Sequence, residues 1–142
     1  TGLASNPNNG GDLLNSMWTS SGLATFITTK NGDFILPIKT LASKCGWGEK
    51  DFLVCAVPRI LPRGQEGLPD DWFQGRVSFN DDIFVVDKNT GSQFPLYVFN
   101  DKEGIFDITN ITLLKTNDIL SFTKKQDETL WLINTNLIEG QQ

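Results

Sequence analysis

Carboxylates are the side chains of this chain that could do acid–base chemistry, because the sequence contains 17 Asp and Glu residues but no histidine. Without histidine, the usual general base, neither a Ser-His-Asp nor a Cys-His catalytic set can be assembled. Carboxylates stand side by side at Asp70-Asp71 and at Asp81-Asp82. Neighbouring residues of a strand point to opposite sides, whereas the two carboxylates of a glycosidase act across one cleft. We therefore predict that the chain is not an enzyme.

A second group of oxygen ligands has the spacing that opens a calcium-binding loop, with Asp87 and Asn89 placed before Gly91. In such loops, alternate side-chain oxygens precede a glycine that permits a sharp turn. The bidentate glutamate that completes the loop is missing at the required distance, and the same residue types are those that a hairpin turn prefers. We expect a turn without a metal or other cofactor, and a weak calcium site is the alternative.

The two cysteines, Cys45 and Cys55, are the remaining candidates for metal or redox chemistry. Two thiols in a chain without histidine do not complete a tetrahedral zinc site. Their spacing is compatible with a disulfide, but cysteine is also a common small core residue, so both interpretations stay open. Cys55 lies within the apolar run FLVCAV, and we expect its side chain to lie in the interior.

Three aromatic residues could bind a sugar ring or a partner surface. Trp72 and Phe73 lie in residues 58–75, a segment with three prolines and three glycines. These residues interrupt strand pairing, so the segment is expected to be a long loop, and long loops in compact domains are often functional. Trp47 stands between two glycines in a second predicted loop. We predict Trp47, Trp72 and Phe73 as ligand-binding residues; the alternative is that these rings fold under their loops as anchors.

Short strands must position these side chains. Residues 82–108 contain three apolar runs separated by two polar segments that each end in glycine, which predicts an antiparallel meander. Asn31-Gly32 lies between two apolar runs and favours a hairpin with a type I′ turn. Residues 52–57 are apolar at every position, which predicts a strand buried on both faces at the centre of the fold.

The spacing of the strands predicts the fold class. Apolar runs continue after the meander at residues 111–114, 119–123 and 129–134. Strands that start at intervals of about 8–12 residues are typical of sandwiches and barrels. We therefore predict an all-β protein, an antiparallel β-sandwich or small barrel built from hairpins and a meander.

The first 21 residues differ in composition from the rest of the chain. They are dominated by Asn, Gly, Ser and Thr, which is typical of a flexible connector. We expect residues 1–21 to form a hinge or linker to an upstream domain. Residues 22–142 are then predicted to form a single β domain.

The charge of the chain and its hydropathy exclude two classes of partner. The formal net charge is −5, whereas nucleic-acid binding depends on Lys and Arg side chains that displace counterions from phosphates. No run approaches the ~20 apolar residues that a membrane-spanning helix needs. We predict that the protein binds no nucleic acid and does not insert into a membrane.

Four features occur together in this chain: a Gly- and Asn-rich start, a compact acidic all-β body, no catalytic set, and a predicted strand LWLIN near the end. This combination resembles the protruding domain of a small icosahedral RNA virus capsid protein, most of all the short spikes of shrimp and prawn nodaviruses. The resemblance covers the whole chain in outline. It implies a non-enzymatic spike at the virion surface that forms a homodimer and presents loops to a host cell-surface receptor or glycan.

A dimeric spike requires a two-fold contact in which one patch meets itself. We expect apolar residues of the meander or of the 58–75 loop to form this contact. The alternative is a carbohydrate- or receptor-binding β module, such as a phage tail tip. In that module Trp47 and Trp72 would form a platform on which a ligand stacks.

Overall fold

The computed structural model describes residues 3–7, 11–48, 52–61, 67–68, 70–114 and 119–134. Within these ranges, three antiparallel sheets are each formed by strands that are consecutive in sequence. The first sheet contains β1 (Leu3–Pro7), β2 (Leu13–Thr19), β3 (Gly22–Thr29) and β4 (Gly32–Ile35). The second contains β5 (Cys45–Trp47), β6 (Phe52–Pro58), β7 (Asp81–Asp87) and β8 (Gln93–Tyr97). The third contains β9 (Ile108–Leu114), β10 (Ile119–Lys124) and β11 (Thr129–Asn134). The prediction of an all-β antiparallel sandwich is confirmed.

The central strand of the second sheet, β6, packs against a core cluster on each of its two faces. In β6, Leu53 and Cys55 pack in a core cluster with side chains of the first sheet, among them Leu14 and Ile27. The alternate residues of β6, Val54 and Ala56, pack in a second cluster with side chains of the third sheet, such as Ile108, Leu120 and Phe122. Because successive side chains of a strand point to opposite faces, a strand between two cores must be apolar throughout. The predicted central position of residues 52–57 is confirmed.

The prediction of a flexible hinge over residues 1–21 is wrong for the part that the structure describes. β2 pairs with β3 along its whole length, and Leu14 is fully buried in the first core cluster. The polar residues of β2 are buried with partners: Asn15 Nδ2 donates to Thr28 Oγ1 at 3.0 Å, and Ser16 Oγ accepts from the amide of Ala42 at 2.9 Å. Buried polar side chains are tolerated when they are hydrogen-bonded. In β2 the hydrogen-bond partners come from distant residues, so the polar composition of this segment suggested a linker.

The predicted hairpin at Asn31-Gly32 forms between β3 and β4, but its turn is not type I′. Thr29 pairs with Gly32, so the two residues between the strands are Lys30 and Asn31. Gly32 has a φ of +128°, whereas Asn31 does not have the positive φ that a type I′ turn requires. The glycine ends the turn rather than forming its centre.

The predicted meander of residues 82–108 is confirmed for its first two strands and wrong for its third. β7 and β8 pair as a hairpin, but the third run does not pair with β8. Instead, a short 3-10 helix, Asp101–Glu103, follows β8, and its cap is formed by Asn100 and Glu103, whose side chains accept each other's backbone amides. The chain then crosses to the third sheet, where β9 begins at Ile108.

Cys45 and Cys55 are joined by a disulfide. They are directly paired residues of β5 and β6, with Cα atoms 4.0 Å apart. Cys55 is fully buried, which confirms the expectation that its side chain lies in the interior. The bond therefore fixes the start of β5 against the central strand of the second sheet.

Gly46, which follows Cys45, allows the second and third sheets to approach each other. A Cβ atom at this position would lie 2.5 Å from the carbonyl oxygen of Ile111 in β9. Since that oxygen belongs to the backbone, it could not move aside easily. Only glycine therefore fits where β5 passes β9.

Candidate functional site

Lys44 is the most unusual ionisable residue that the structure describes, because its side chain is 0% exposed. A lysine is almost never fully buried unless it is paired. Its Nζ lies 2.6 Å from Asp81 Oδ2 and 2.7 Å from Asp107 Oδ1, and it donates to the carbonyl oxygen of Ile108 at 2.8 Å. All three donors of the ammonium group are therefore used. We call Lys44, Asp81 and Asp107 the buried triad.

The starts of three strands position the buried triad. Lys44 ends a short 3-10 helix, Ala42–Lys44, and is followed by the disulfide-bonded first residue of β5. Asp81 is the first residue of β7, and Asp107 directly precedes β9. The amide of Asp81 donates to the carbonyl of Phe106 at 2.8 Å, which holds the starts of β7 and β9 together.

Asp107 accepts hydrogen bonds on both of its carboxylate oxygens. The indole Nε1 of Trp72 lies 2.9 Å from Oδ1 and 3.0 Å from Oδ2, and the amide of Phe79 donates to Oδ2 at 3.2 Å. Together with Lys44, these donors fill the oxygens with N–H groups, as an ionised carboxylate requires. Asp107 is thus the more completely hydrogen-bonded carboxyl group of the buried triad.

Asp81 is less completely satisfied. Its Oδ2 accepts from Lys44 and from the amide of Ile108, the latter at 2.8 Å. Its Oδ1 is buried and has no hydrogen-bond partner within the described part of the chain. Burial raises the pKa of Asp81 to about 6, and the positive charge of Lys44 is the strongest influence that opposes this rise. The neutral acid form of Asp81 is therefore accessible close to neutral pH.

Aromatic rings form walls around the ammonium group. The Nζ atom of Lys44 lies 4.8 Å from the centroid of the Trp72 ring and 5.2 Å from that of Phe79. Cation–π contacts of this kind stabilise a positive charge without supplying water. The rings belong to a third core cluster that also contains Leu23, Leu41 and Leu68.

The predicted ligand-binding residues are not brought together by the structure. Trp72 is 2% exposed and serves as a donor to Asp107, so the prediction that its ring is a binding platform is wrong. Trp47 is half-buried and packs against the first core cluster. Phe73 is 54% exposed, with its ring edge-on to Trp72 at 5.1 Å. Trp47 and Phe73 remain predicted binding residues.

Neither pair of adjacent carboxylates acts as a pair. Asp82, unlike Asp81, turns to Arg59, whose guanidinium donates to its two oxygens at 2.8 and 2.9 Å. Asp71 forms an ion pair with Arg76 at 3.6 Å. The pairing that does occur, Asp81 with Asp107, joins residues 26 positions apart and was missed by the sequence analysis. A carboxylate that interrupts the apolar run IFDI was the signal that could have indicated it.

The segment at Asp87 is a turn between β7 and β8. Asp87 Oδ1 accepts from the amide of Asn89 at 2.8 Å, and the Asp87 carbonyl accepts from the amide of Gly91 at 2.8 Å. Throughout the described ranges, no group of three or more His, Cys, Asp or Glu residues could hold a metal ion. The Asp and Gly at this position therefore serve the turn, as such residues commonly do.

The fold and this site define an all-β layered domain that is held together internally by a disulfide and by a buried triad of charges. No family model, curated protein or solved structure matches this chain. None of the helices in the described residues is long and apolar enough to span a membrane. The function is therefore inferred from the chain's own residues.

Proposed function

We propose that this chain is a non-enzymatic structural and surface-binding domain, the dimeric protruding spike of a viral capsid protein that takes part in host attachment. The observation that carries the proposal is the exposed apolar strand β11. It lies at an edge of the third sheet, where β10 pairs with one side of it. No other described strand pairs with its second side.

The side chains of β11 divide into an inner and an outer set. The ring of Trp131 packs on Phe106, with centroids 4.9 Å apart, and so faces the core. Leu130 and Leu132 alternate with it, point outwards and are 70% and 60% exposed. Large apolar side chains on an edge strand are normally avoided, because such an edge pairs with other chains.

The outer face of the third sheet carries two further apolar side chains, beyond Ser121 and Thr123, which pair directly with Leu132 and Leu130. Ile119 of β10 pairs directly with Leu114 of β9. Their neighbours Leu120 and Leu113 pack in the second core cluster or against it. Because successive side chains of a strand point to opposite faces, those of Ile119 and Leu114 point outwards. We call Leu114, Ile119, Leu130 and Leu132 the outer apolar patch. A patch of this kind at a sheet surface is typical of an interaction site.

A second copy of the chain fits this edge. Two β11 strands related by a two-fold axis would pair antiparallel, so that the same patch meets itself. β11 contains no charged residue, so this contact brings no like charges together although the whole chain carries −5. The meander is less suited to this contact than expected, because Pro95 in its edge strand β8 lacks the N–H that strand pairing needs.

The internal cross-link supports a location at the virion surface. Disulfides persist in oxidising surroundings, including virion and cell surfaces, and are rare in the reducing cytosol. The Cys45–Cys55 bond ties two strands of the central sheet. A spike of this kind keeps its shape while its exposed loops contact the host.

We expect the purified chain to form a concentration-dependent dimer, and the variant Leu132→Lys to remain monomeric. The substitution places a charge on each copy at the two-fold contact, where like charges repel and are costly to desolvate. Light scattering coupled to size-exclusion chromatography, over a range of protein concentrations, measures both states. The matched control is Ile35→Lys, which alters a residue that is 79% exposed on β4, an edge strand of the first sheet.

If the dimer forms through β11, Ile35→Lys should dimerise as the unmodified chain does. A strict monomer at the highest concentrations, or equal loss of the dimer in both variants, would contradict it. A monomer would favour the alternative, an independent receptor- or carbohydrate-binding module. A glycan-binding screen comparing the unmodified chain with Phe73→Ala and Trp47→Ala would then test that alternative.

A further inference from the structure

The contact between Lys44 and Asp81 places an amine against a carboxyl group with no water between them. Nζ and Oδ2 are 2.6 Å apart, and both side chains are 0% exposed. In water, such a pair does not condense to an amide, because it stays ionised and water is present in large excess. Burial lessens both obstacles, since it excludes water and makes charged forms costlier than they are in water.

We propose that Lys44 and Asp81 join in an intramolecular isopeptide bond, with Asp107 acting as the catalytic general base. The ion pair seen between these side chains is then the reactant state of the condensation. The reaction involves only side chains of this chain and needs no cofactor, oxidant or second enzyme. This cross-link does not depend on the proposed role as a spike, and the experiments below test it separately.

The two carboxylates have different surroundings, which assign their roles. Asp107 receives N–H donors on both oxygens and touches Nζ at 2.7 Å, so it is the base that accepts a proton from the attacking nitrogen. Asp81 has an Oδ2 that accepts the amide of Ile108 and an Oδ1 without a described partner. The Ile108 amide stabilises the negative charge that develops on Oδ2, and Oδ1 is the oxygen that leaves.

The proton balance of the condensation closes within the buried triad. The Lys44 ammonium passes one proton by way of the Asp107 carboxylate to Oδ1 of Asp81, which gives a neutral amine and a neutral acid; the raised pKa of Asp81 lowers the cost of this exchange. The Nζ lone pair then attacks Cγ of Asp81, and Asp107 takes a second proton from the nitrogen as the N–C bond forms. Asp107 returns that proton to Oδ1, the Cγ–Oδ1 bond breaks, and one water molecule leaves. The product is an amide with one N–H, and Asp107 is again a carboxylate.

The site accommodates the amide product. The remaining N–H can donate to Asp107, and the amide oxygen keeps the hydrogen bond from Ile108. The bond would join residues 37 positions apart, next to the disulfide that joins residues 10 positions apart. Residues 44 and 45 would then be tied to β7 and β6 respectively, so three neighbouring segments would be covalently connected.

The intact mass of the chain tests the proposal directly. After reduction of the disulfide and denaturation, the folded and purified chain should be lighter than its sequence mass by one water molecule. Tandem mass spectrometry of a protease digest should find one branched peptide that joins Lys44 to Asp81. Neither measurement depends on whether any variant folds. The full sequence mass after prolonged incubation of the folded chain at mildly acidic and neutral pH would overturn the proposal.

Three variants separate the roles within the buried triad. Lys44→Arg should keep the full sequence mass, because a guanidinium does not attack a carboxyl group under these conditions. Asp107→Asn, which is nearly isosteric, should slow the loss of water by at least about a hundredfold, as expected when a general base is removed. Lys124→Met is the control, since Lys124 lies over Phe106 rather than beside Asp81 and its removal should leave the loss of water unchanged.

The residue at which the chain loses water is equally decisive. A loss of water that persists in Lys44→Arg, or that the fragments place at an Asp or Asn residue other than Asp81, would contradict the isopeptide bond. Cross-linking is read from the mass of the chain and dimerisation from its light scattering. Failure of one proposal therefore leaves the other intact.

Discussion

Lys44→Met should lower the free energy of unfolding by at least about 3–5 kcal/mol, the cost expected when one partner of a buried ion pair is removed. Methionine fills much of the same space, but it leaves Asp81 and Asp107 without the cation that both contact. If Lys44 is bonded to Asp81, the covalent connection is lost as well and the effect is larger. Urea denaturation followed by circular dichroism measures the change, and a fall in Tm of roughly 10–20 °C should accompany it.

The pH dependence of this loss identifies its cause. Burial already raises the pKa of Asp81 to about 6, and removal of the opposing charge of Lys44 should raise it further. A carboxyl whose pKa is higher in the folded than in the unfolded state binds its proton more tightly when folded. Its contribution to stability therefore falls as the pH rises between those two values. The deficit of Lys44→Met should be larger at about pH 7 than at about pH 4.

A surface ion pair supplies the control for this experiment. Arg76 is mostly exposed and lies 3.6 Å from Asp71, so Arg76→Met should cost less than about 1 kcal/mol. Equal losses in the two variants, or a Lys44→Met deficit that does not shrink in acid, would show that the buried charges are not what the substitution disturbs.

Phe106→Ala should lower the free energy of unfolding by about 3–5 kcal/mol, because it leaves a cavity where a large ring is completely packed. Phe106 is fully buried and stacks on Phe99 with ring centroids 4.1 Å apart and an interplanar angle of 15°. Its edge contacts Phe122 and Trp131 at 6.2 and 4.9 Å. Three aromatic side chains thus lose contacts or become able to move.

The effect of Phe106→Ala should extend to the proposed dimer. Trp131 lies between Leu130 and Leu132 on β11, so loss of its packing partner loosens the strand that forms the two-fold contact. Thermal denaturation gives the stability change, and light scattering gives the concentration at which the dimer dissociates, which should rise. Phe34→Ala, at a half-exposed phenylalanine on β4, is the control and should cost about 1 kcal/mol or less. A similar loss in both variants would contradict the role assigned to Phe106.

The proposed spike and the proposed cross-link describe complementary parts of one molecule. The outer apolar patch lies on the third sheet, whereas the buried triad connects the starts of strands in the second and third sheets. A domain that dimerises at an edge transmits any force on the dimer into its own sheets. Covalent connections between strand starts would resist the separation of those sheets.

The class of fold and several elements could be predicted from the sequence because they depend on local patterns. The apolar run of residues 52–57 indicated a central strand, and β10 and β11 lie where apolar runs had predicted them. The polar segments with glycine indicated turns. These signals are periodic or local, so neighbouring residues alone are enough to produce them.

The elements that composition misjudged are those stabilised by distant partners. β2 is rich in polar residues, yet it lies in the first sheet because Thr28 and Ala42 satisfy its buried side chains. Trp72 follows two aspartates in a segment broken by proline and glycine, which made it a candidate for exposure, but the buried carboxylate of Asp107 accepts its N–H. In each case the partner lies far away along the chain.

What the sequence determined by itself was the alternation and length of its strands, and with them an all-β architecture. Only the tertiary structure decided that Cys45 and Cys55 stand opposite each other in register and are bonded. Only it decided that Lys44 meets Asp81 and Asp107, because the starts of three strands from different parts of the chain must come together before these charges are in contact. Local patterning is set by neighbours, whereas a buried charge is tolerated only after long-range packing has supplied its partners.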